Sequence, residues 1–237
     1  MNENPRNHRA MFVSFSGIDG AGKSTQIANL RTCLHEAGLR VQHITFWDDV
    51  ATLKRIREGA GHKIFKGDKG VGTPEAPIHR RDKNVRSPLM TLFRMAIYLL
   101  DTISLRKIAK KARRSGADIV IFDRYMYDEL ANLDLEKAAT RLYVRALMKL
   151  VPRPEVSFVL DADPDHARAR KPEYPLEFLH TNRNSYLKLS QVLSGITVIS
   201  SRSLHEIKAE VVGCVLRNEW LAPRASKPQV VSEVVSY

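Results

Sequence analysis

Five short runs along the chain are apolar and rich in β-branched or aromatic residues. They are "MFVSF" (11–15), "VQHITF" (41–46), "DIVIFD" (118–123), "VSFVLD" (156–161) and "ITVIS" (196–200). Each is bounded by polar, Gly or Pro residues and reads as a strand. Between them the period changes. In "KSTQIANLRTCLHEAG" (23–38), Ile27, Leu30, Leu34 and Ala37 fall at helical spacing, with Gly38 as a C-terminal stop. Residues 89–115 read as one long helix, apolar through "LMTLFRMAIYLL" and basic at its end. Basic residues at a helix C-terminus complement its dipole, so this cluster calls for no ligand. Strands alternating with helices predict βαβ units and a mostly parallel sheet, an α/β fold. Ligands of such sheets bind at the carboxyl ends of the strands.

The first strand runs into "GIDGAGKST" (17–25), which fits the template G-x-x-x-x-G-K-[ST] with Gly17, Gly22, Lys23 and Ser24 at the fixed places. The spacing has a physical reason. Gly17, Gly20 and Gly22, with the small Ala21, let backbone N–H groups turn inward as an anion-binding nest. A helix starting at Lys23 adds its positive end, on which Thr25 also lies. Lys23 would reach the β- and γ-phosphates of a nucleotide such as ATP, and Ser24 would ligate Mg2+. Asp19, inside the loop, would meet a substrate hydroxyl or a Mg2+-bound water, or brace the loop through its own backbone.

Composition narrows the class. The 237 residues suffice for one α/β domain, 43% of them are hydrophobic, and the formal net charge is +12. A basic balance suits a protein that handles polyanions, and equally a diffuse solvated basic surface. No apolar run approaches the ~18 residues of a membrane span. The N-terminus "MNENPRNHRA" is polar and lacks the apolar core of a signal peptide. Cys33 and Cys214 stand far apart, as small hydrophobes of a reducing compartment rather than a disulfide. The expected location is the cytoplasm. The eight histidines show no metal-like spacing.

Further groups fall at strand ends. "FDRY" (122–125) closes the third strand. A carboxylate there, beside a phosphate loop, is placed to organise Mg2+ or the acceptor oxygen, so Asp123 is a candidate metal and catalytic residue. Arg124 would hold an acceptor phosphate or neutralise the transferring charge, with Tyr125 beside it as a substrate contact. "LDADPDHARAR" (160–170) follows the fourth strand. Asp163 is placed to N-cap a short helix with Pro164 at its first position. Arg168 and Arg170 on that helix could fold over phosphates as a lid spanning 164–178, or form an exposed helix end.

With these parts in order, the chain resembles the thymidylate kinase family of P-loop nucleoside monophosphate kinases. The resemblance is carried by "FVSFSGIDGAGKST" (12–25), "FDRY", "LDADPDHARAR", "EFLHTNRNSY" (177–186) and "VISSRSLHEIKAEV" (198–211). It implies a P-loop kinase fold, with a five-stranded parallel sheet flanked by helices on both faces. It implies transfer of a phosphoryl group from ATP to dTMP with Mg2+, and a homodimer. It also implies roles: Lys23 and Ser24 serve the ATP phosphates and Mg2+, and Asp19 the sugar 3′-hydroxyl or a Mg2+-bound water. Asp123 and Arg124 lie between donor and acceptor, and Arg168 and Arg170 form the lid. The base-reading segments depart from the family. Its Phe-x-Ala-x-Arg pattern is here "FRMAI" (93–97), which keeps Phe93 but has Ile at 97. Phe93 could stack on an acceptor ring or sit in the core, and Arg94 could replace the missing arginine or face solvent. The Ser-x-x-Ala-Tyr-Gln that commonly follows Asp-Arg-Tyr is here "DELANL", with Asp128 in the place of the serine.

The organisation expected is a polar extension at 1–10, one kinase domain at 11–220 and a loosely held tail at 221–237. A stretch at 59–88 carries seven Lys/Arg against three acids and reads as a solvated insertion or a phosphate-gripping flap. The altered base-reading residues leave open a similar kinase for another small acceptor, and a further reading is an NTP-binding module that acts on nucleic acid or a protein partner through that stretch. Salt-sensitive polyanion affinity would favour it; the lid-like arginines and the strand-end "FDRY" favour the kinase.

Overall fold

A computed structural model describes residues 9–52, 88–219 and 221. The elements run β1 (Met11–Ser16), α1 (Lys23–Glu36), β2 (Val41–Thr45), a π-helical turn (Phe46–Val50), α2 (Pro88–Ala112), β3 (Ile119–Asp123), α3 (Met126–Leu130) and α4 (Ala138–Leu150). Then come β4 (Val156–Asp161), α5 (Pro164–Arg170), α6 (Leu176–Val192), β5 (Ile196–Ser200) and α7 (Leu204–Leu216). All but the last residue of the basic stretch 59–88, and the tail from 222 on, lie outside the described residues.

The strands form one parallel sheet in the order β2-β3-β1-β4-β5. The order explains the burial. β1 lies at the centre and every one of its residues is buried, whereas the edge strands β2 and β5 are only partly covered. Alternate residues of β1 feed opposite faces. Phe12 packs with Phe122 and Tyr98 of α2 and Leu147 of α4 on one side. Met11, Val13 and Phe15 meet Ile27, Leu30 and Leu34 of α1 and Val211 of α7 on the other. Helices therefore cover both faces, as expected.

The second strand ends one residue early. Asp49 accepts the N–H of Thr45 at 2.7 Å, which turns the chain into the π-helical turn. Phe46 leaves the ladder and is fully buried beside Trp47. The sheet's apolar layer also reaches past the expected domain ends, since Ala10 and Leu221 are both buried.

Candidate active site

Parallel register brings the ends of β1, β3 and β4 to one edge. Phe15 lies opposite Asp123 on one side and Phe158 on the other, so the loop leaving β1 emerges between two strand ends. Arg124 N–H donates to Phe15 O at 2.9 Å and fastens the end of β3 to the base of that loop.

The loop is held by close backbone approach. Gly20 has φ +81, and a Cβ there would lie 2.2 Å from the carbonyl oxygen of Ala167, so α5 rests directly on it. Gly22, at φ +86, is the N-cap of α1, and the space a Cβ would enter is open. Ser24 and Thr25 are exposed in the first turn of α1. The positive end of the α1 dipole and two exposed hydroxyl residues thus lie together at the end of the loop.

Lys23 is buried, and its ammonium donates to the carbonyls of Gly17 and Ile18, both at 2.8 Å. Burial, aided by the charge of Arg124, pulls its pKa down to about 7, against the raising influence of Asp19, Asp128 and Asp123. Asp123 is half-buried at the end of β3, and its carboxylate takes no hydrogen bond from the described residues.

Arg124 adopts φ 68, which is rare for a side chain other than glycine. The turn aims its guanidinium between two carboxylates. Nη2 donates to Asp19 Oδ1, and Nη1 to Asp128 Oδ1 at 3.0 Å. Burial works against its charge, but Asp19 and Asp128 outweigh it and raise the pKa well above the ordinary value. Lys171 adds a cation 3.9 Å from Asp19 and 3.0 Å from Glu173. Asp19 therefore joins the loop to the end of β3 and to the segment after α5.

Asp128 is the residue that the sequence reading left without a role. It is almost fully buried. Oδ2 accepts from Ser16 Oγ at 2.6 Å and from Tyr125 N–H at 3.0 Å; Oδ1 accepts from Arg124 and from the Tyr186 hydroxyl at 2.8 Å. Four donors fill the acceptor sites of one carboxylate. Burial and the charge of Asp128 push the Tyr186 phenol well above its usual pKa, so it stays a donor. The available local signal was an acidic residue three positions after the helix N-cap, from where Asp128 reaches back to the N–H of Tyr125.

The other expected residues divide. Arg168 is half-buried on α5, and its Nε is buried with no hydrogen-bond partner among the described residues. Arg170 is exposed and donates to His166 O at 3.3 Å. Asp163 caps α5 by accepting His166 N–H at 3.0 Å. The expected lid segment is packed: Ala167 and Tyr174 are buried against Ile18 of the loop. Tyr125 is not brought to the site. Its ring is fully buried against Phe122 and Tyr127, and its hydroxyl donates to Pro152 O, towards the opposite end of the sheet. Phe93 is 41% exposed on α2, so it is not a core aromatic; Arg94 is half-buried, and Ile97 is buried in the core. Asp161 is taken up by a bidentate pair with Arg183 of α6, at 2.5 and 2.8 Å.

A glycine loop between a central parallel strand and a helix N-terminus, with lysine, arginine and carboxylates gathered at its mouth, is the architecture of a P-loop phosphotransferase. The comparisons narrow this class. No family model matches the chain. Among curated proteins it is similar to the probable thymidylate kinases of Methanosphaera stadtmanae and Archaeoglobus fulgidus. The first is 25% identical over 201 residues, covering 83% of this chain and 92% of the relative. The second is 27% identical over 209 residues, covering 85% and 92%. The thymidylate kinase of Bifidobacterium longum is 27% identical over 191 residues, covering 76% and 84%. Among solved structures, thymidylate kinase from Candida albicans matches the fold with a TM-score of 0.58 at 15% identity, over 90% of this chain and 93% of that one. The resemblance to thymidylate kinases thus extends over most of the chain.

Proposed function

We propose that this protein is an ATP-dependent nucleoside monophosphate kinase that converts dTMP to dTDP. The observation that carries the reading is the Asp19–Arg124 pair, which couples the phosphate loop to the end of β3 where an acceptor must approach. The extended similarity to thymidylate kinases supports dTMP as the acceptor.

The geometry supports the following roles. Backbone N–H groups of the loop and the N-terminus of α1 hold the ATP phosphates. Lys23 exchanges its two loop carbonyls for phosphate oxygens and stabilises the transferring charge. Arg124 meets the acceptor phosphate, held in place by Asp19 and Asp128. The partnerless Nε of Arg168 is a donor suited to a phosphate oxygen of the transferring group.

The donor set at the loop fits Mg2+. The exposed Ser24 hydroxyl and the Asp123 carboxylate are hard oxygen ligands, and a magnesium site of this kind takes the rest of its shell from phosphates and water. Among the described residues no group of three or more His, Cys, Asp or Glu is placed to hold a metal, so Mg2+ would arrive with the nucleotide. Held by Ser24 and Asp123, Mg2+ would supply charge neutralisation for the nucleotide phosphates.

No helix among the described residues is long and apolar enough to cross a membrane. Two free thiols suit a cytoplasmic setting. The exposed row of Leu89, Leu92, Leu99 and Ile103 on α2 is a face on which a second copy could pack.

The reading is tested by incubating the protein with MgATP and dTMP and separating the nucleotides by anion exchange. The reading requires dTDP and ADP in equal amounts. ADP without dTDP would overturn it.

A further inference from the structure

At the end of the sheet opposite the phosphate loop, roughly 20 Å away along the strands, lies a groove of ≈ 570 Å³. It opens where α2 and α4 finish and where β1 and β4 begin. Arg106, Lys107, Lys110, Arg113 and Arg114 line it from the end of α2 or just past it, and Lys149 from α4. Arg9 completes the rim, and no acidic residue lines it.

Two of these cations are built into the protein. Arg113 pairs with Glu155 at 2.7 Å, donates to Ala10 O at 2.5 Å and lies 3.7 Å above the centre of the Phe12 ring. Glu155 is held in turn by Phe12 N–H at 2.6 Å. Arg106 donates to Leu150 O at 2.8 Å. They form the floor and one wall. Arg9, Lys107, Lys110, Arg114 and Lys149 are exposed, and none of them has a carboxylate partner among the described residues.

Helix dipoles do not account for this charge. The C-termini of α2 and α4 each offer about half a negative charge, and Glu155 one more, so among the described residues about five positive charges remain uncompensated. On α2 the spacing of Lys107 and Lys110 keeps their side chains on one face, and Arg114 follows two residues past the helix end. A row of like charges along a concave surface raises a local potential that draws an extended polyanion. The lining also says how that polyanion would be read. Its one aromatic ring, Phe12, is buried and capped by Arg113, so no ring is free to stack on a base. Among the described residues no Asn, Gln, Asp or Glu lines the groove, which removes the side chains that read adenine and cytosine edges.

We propose that this groove binds the phosphodiester backbone of single-stranded nucleic acid, without regard to sequence, at a site separate from the phosphate loop. The proposal stands whether or not dTMP is the acceptor of the kinase site.

The test uses the full chain and fluorescence anisotropy with two labelled single strands of about 20 nucleotides, one oligo-dT and one of mixed sequence, longer than single-strand modules need. Five phosphate contacts predict an affinity loss of about 100-fold between roughly 50 and 200 mM salt. The two strands should bind alike. K107E/K110E/R114E should weaken binding at low salt at least about tenfold, and so, less steeply, should K107Q/K110Q/R114Q, which adds no acid to the helix end. Both variants should keep the parent's circular dichroism spectrum, melting temperature and kinase activity. Five results overturn the proposal: no binding at low salt; binding unchanged in both variants, which would place it elsewhere, as on the basic stretch 59–88; a strong preference for one strand; displacement of the strand by an equimolar amount of inorganic triphosphate; or binding to phosphatidylserine vesicles that the variants lose while the strands do not bind.

Discussion

Asp128 holds Arg124 from the side opposite the phosphate loop. One oxygen takes Nη1 of the arginine at 3.0 Å and the Tyr186 hydroxyl at 2.8 Å; the other takes Ser16 and the N–H of Tyr125. Ser16 is the last residue of β1, Tyr125 leads into α3 and Tyr186 lies on α6. Three parts of the fold therefore converge on one carboxylate, whose output is the direction of one guanidinium. Asp128 acts through Arg124 as a positioning residue.

D128N keeps the shape but removes the charge and places an amide among four donors. Acceptor-directed kcat/KM should fall about 10- to 100-fold, as expected when a reacting group is misplaced by a fraction of an ångström to an ångström. The dissociation constant for ATP should change little. D128A, which leaves the buried arginine short of one partner, should also cost about 3–5 kcal/mol of stability. Steady-state kinetics with separate ATP titrations and a chemical denaturation curve measure these effects. A D128N enzyme with parental kinetics would remove the positioning role.

Lys23 carries the largest single effect. On the proposed role, K23A removes the charge that would meet the transferring phosphoryl group and should lower turnover by about 1,000-fold or more. Single-turnover assays with enzyme in excess would show it, and a rate within a factor of about ten of the parent would exclude that role.

The same lysine links nucleotide binding to protons. In the free protein its pKa is pulled down to about 7, chiefly by burial. Phosphate oxygens favour the ammonium, so its pKa is higher in the complex. Between the two values ATP binding takes up a proton, and affinity falls as pH rises above about 7. The sign for folding is separate. A lysine whose folded pKa lies below its unfolded value of 10.5 binds fewer protons when folded, so its contribution to the free protein's stability rises with pH from about 7 to 10.5. Calorimetric titration of ATP in two buffers of different ionisation enthalpy, at a pH one unit above neutrality, reads the uptake directly. Proton release on binding would contradict the assignment.

Gly20 fixes the distance between loop and α5. Alanine there would adopt φ +81 and place its Cβ 2.2 Å from Ala167 O, which is backbone and cannot rotate away. The strain and the overpacking together should cost about 2–5 kcal/mol, with a lower melting temperature and weaker ATP binding. A G20A protein with unchanged melting temperature would show that α5 moves freely.

The alternation of apolar runs and helical periods was enough to read the parallel sheet, because each strand is short, β-branched and bounded by breakers. The loop was legible because its chemistry depends on local spacing. Local pattern failed where tertiary contact decides. Phe46 continues the apolar run of β2, yet Asp49 captures the Thr45 N–H and diverts it. Tyr125 adjoins Arg124 in sequence, but the positive φ of Arg124 redirects the chain and sends the next ring into the core. Asp128 draws two of its four donors from Ser16 and Tyr186, 112 and 58 residues away, beyond any local window. The end of α2 was read as self-sufficient on its dipole; its cations acquire Arg9 and Lys149 as neighbours only through the fold.

The central claim is phosphoryl transfer from ATP to dTMP at the loop of residues 17–25. It is tested most directly by ADP release with MgATP across dTMP, dUMP, dCMP, CMP, UMP, AMP, GMP and water alone. The account predicts that dTMP gives the highest kcat/KM, that dTDP appears in step with ADP, and that K23A abolishes both. An ADP release rate that no monophosphate raises above the water control would contradict it.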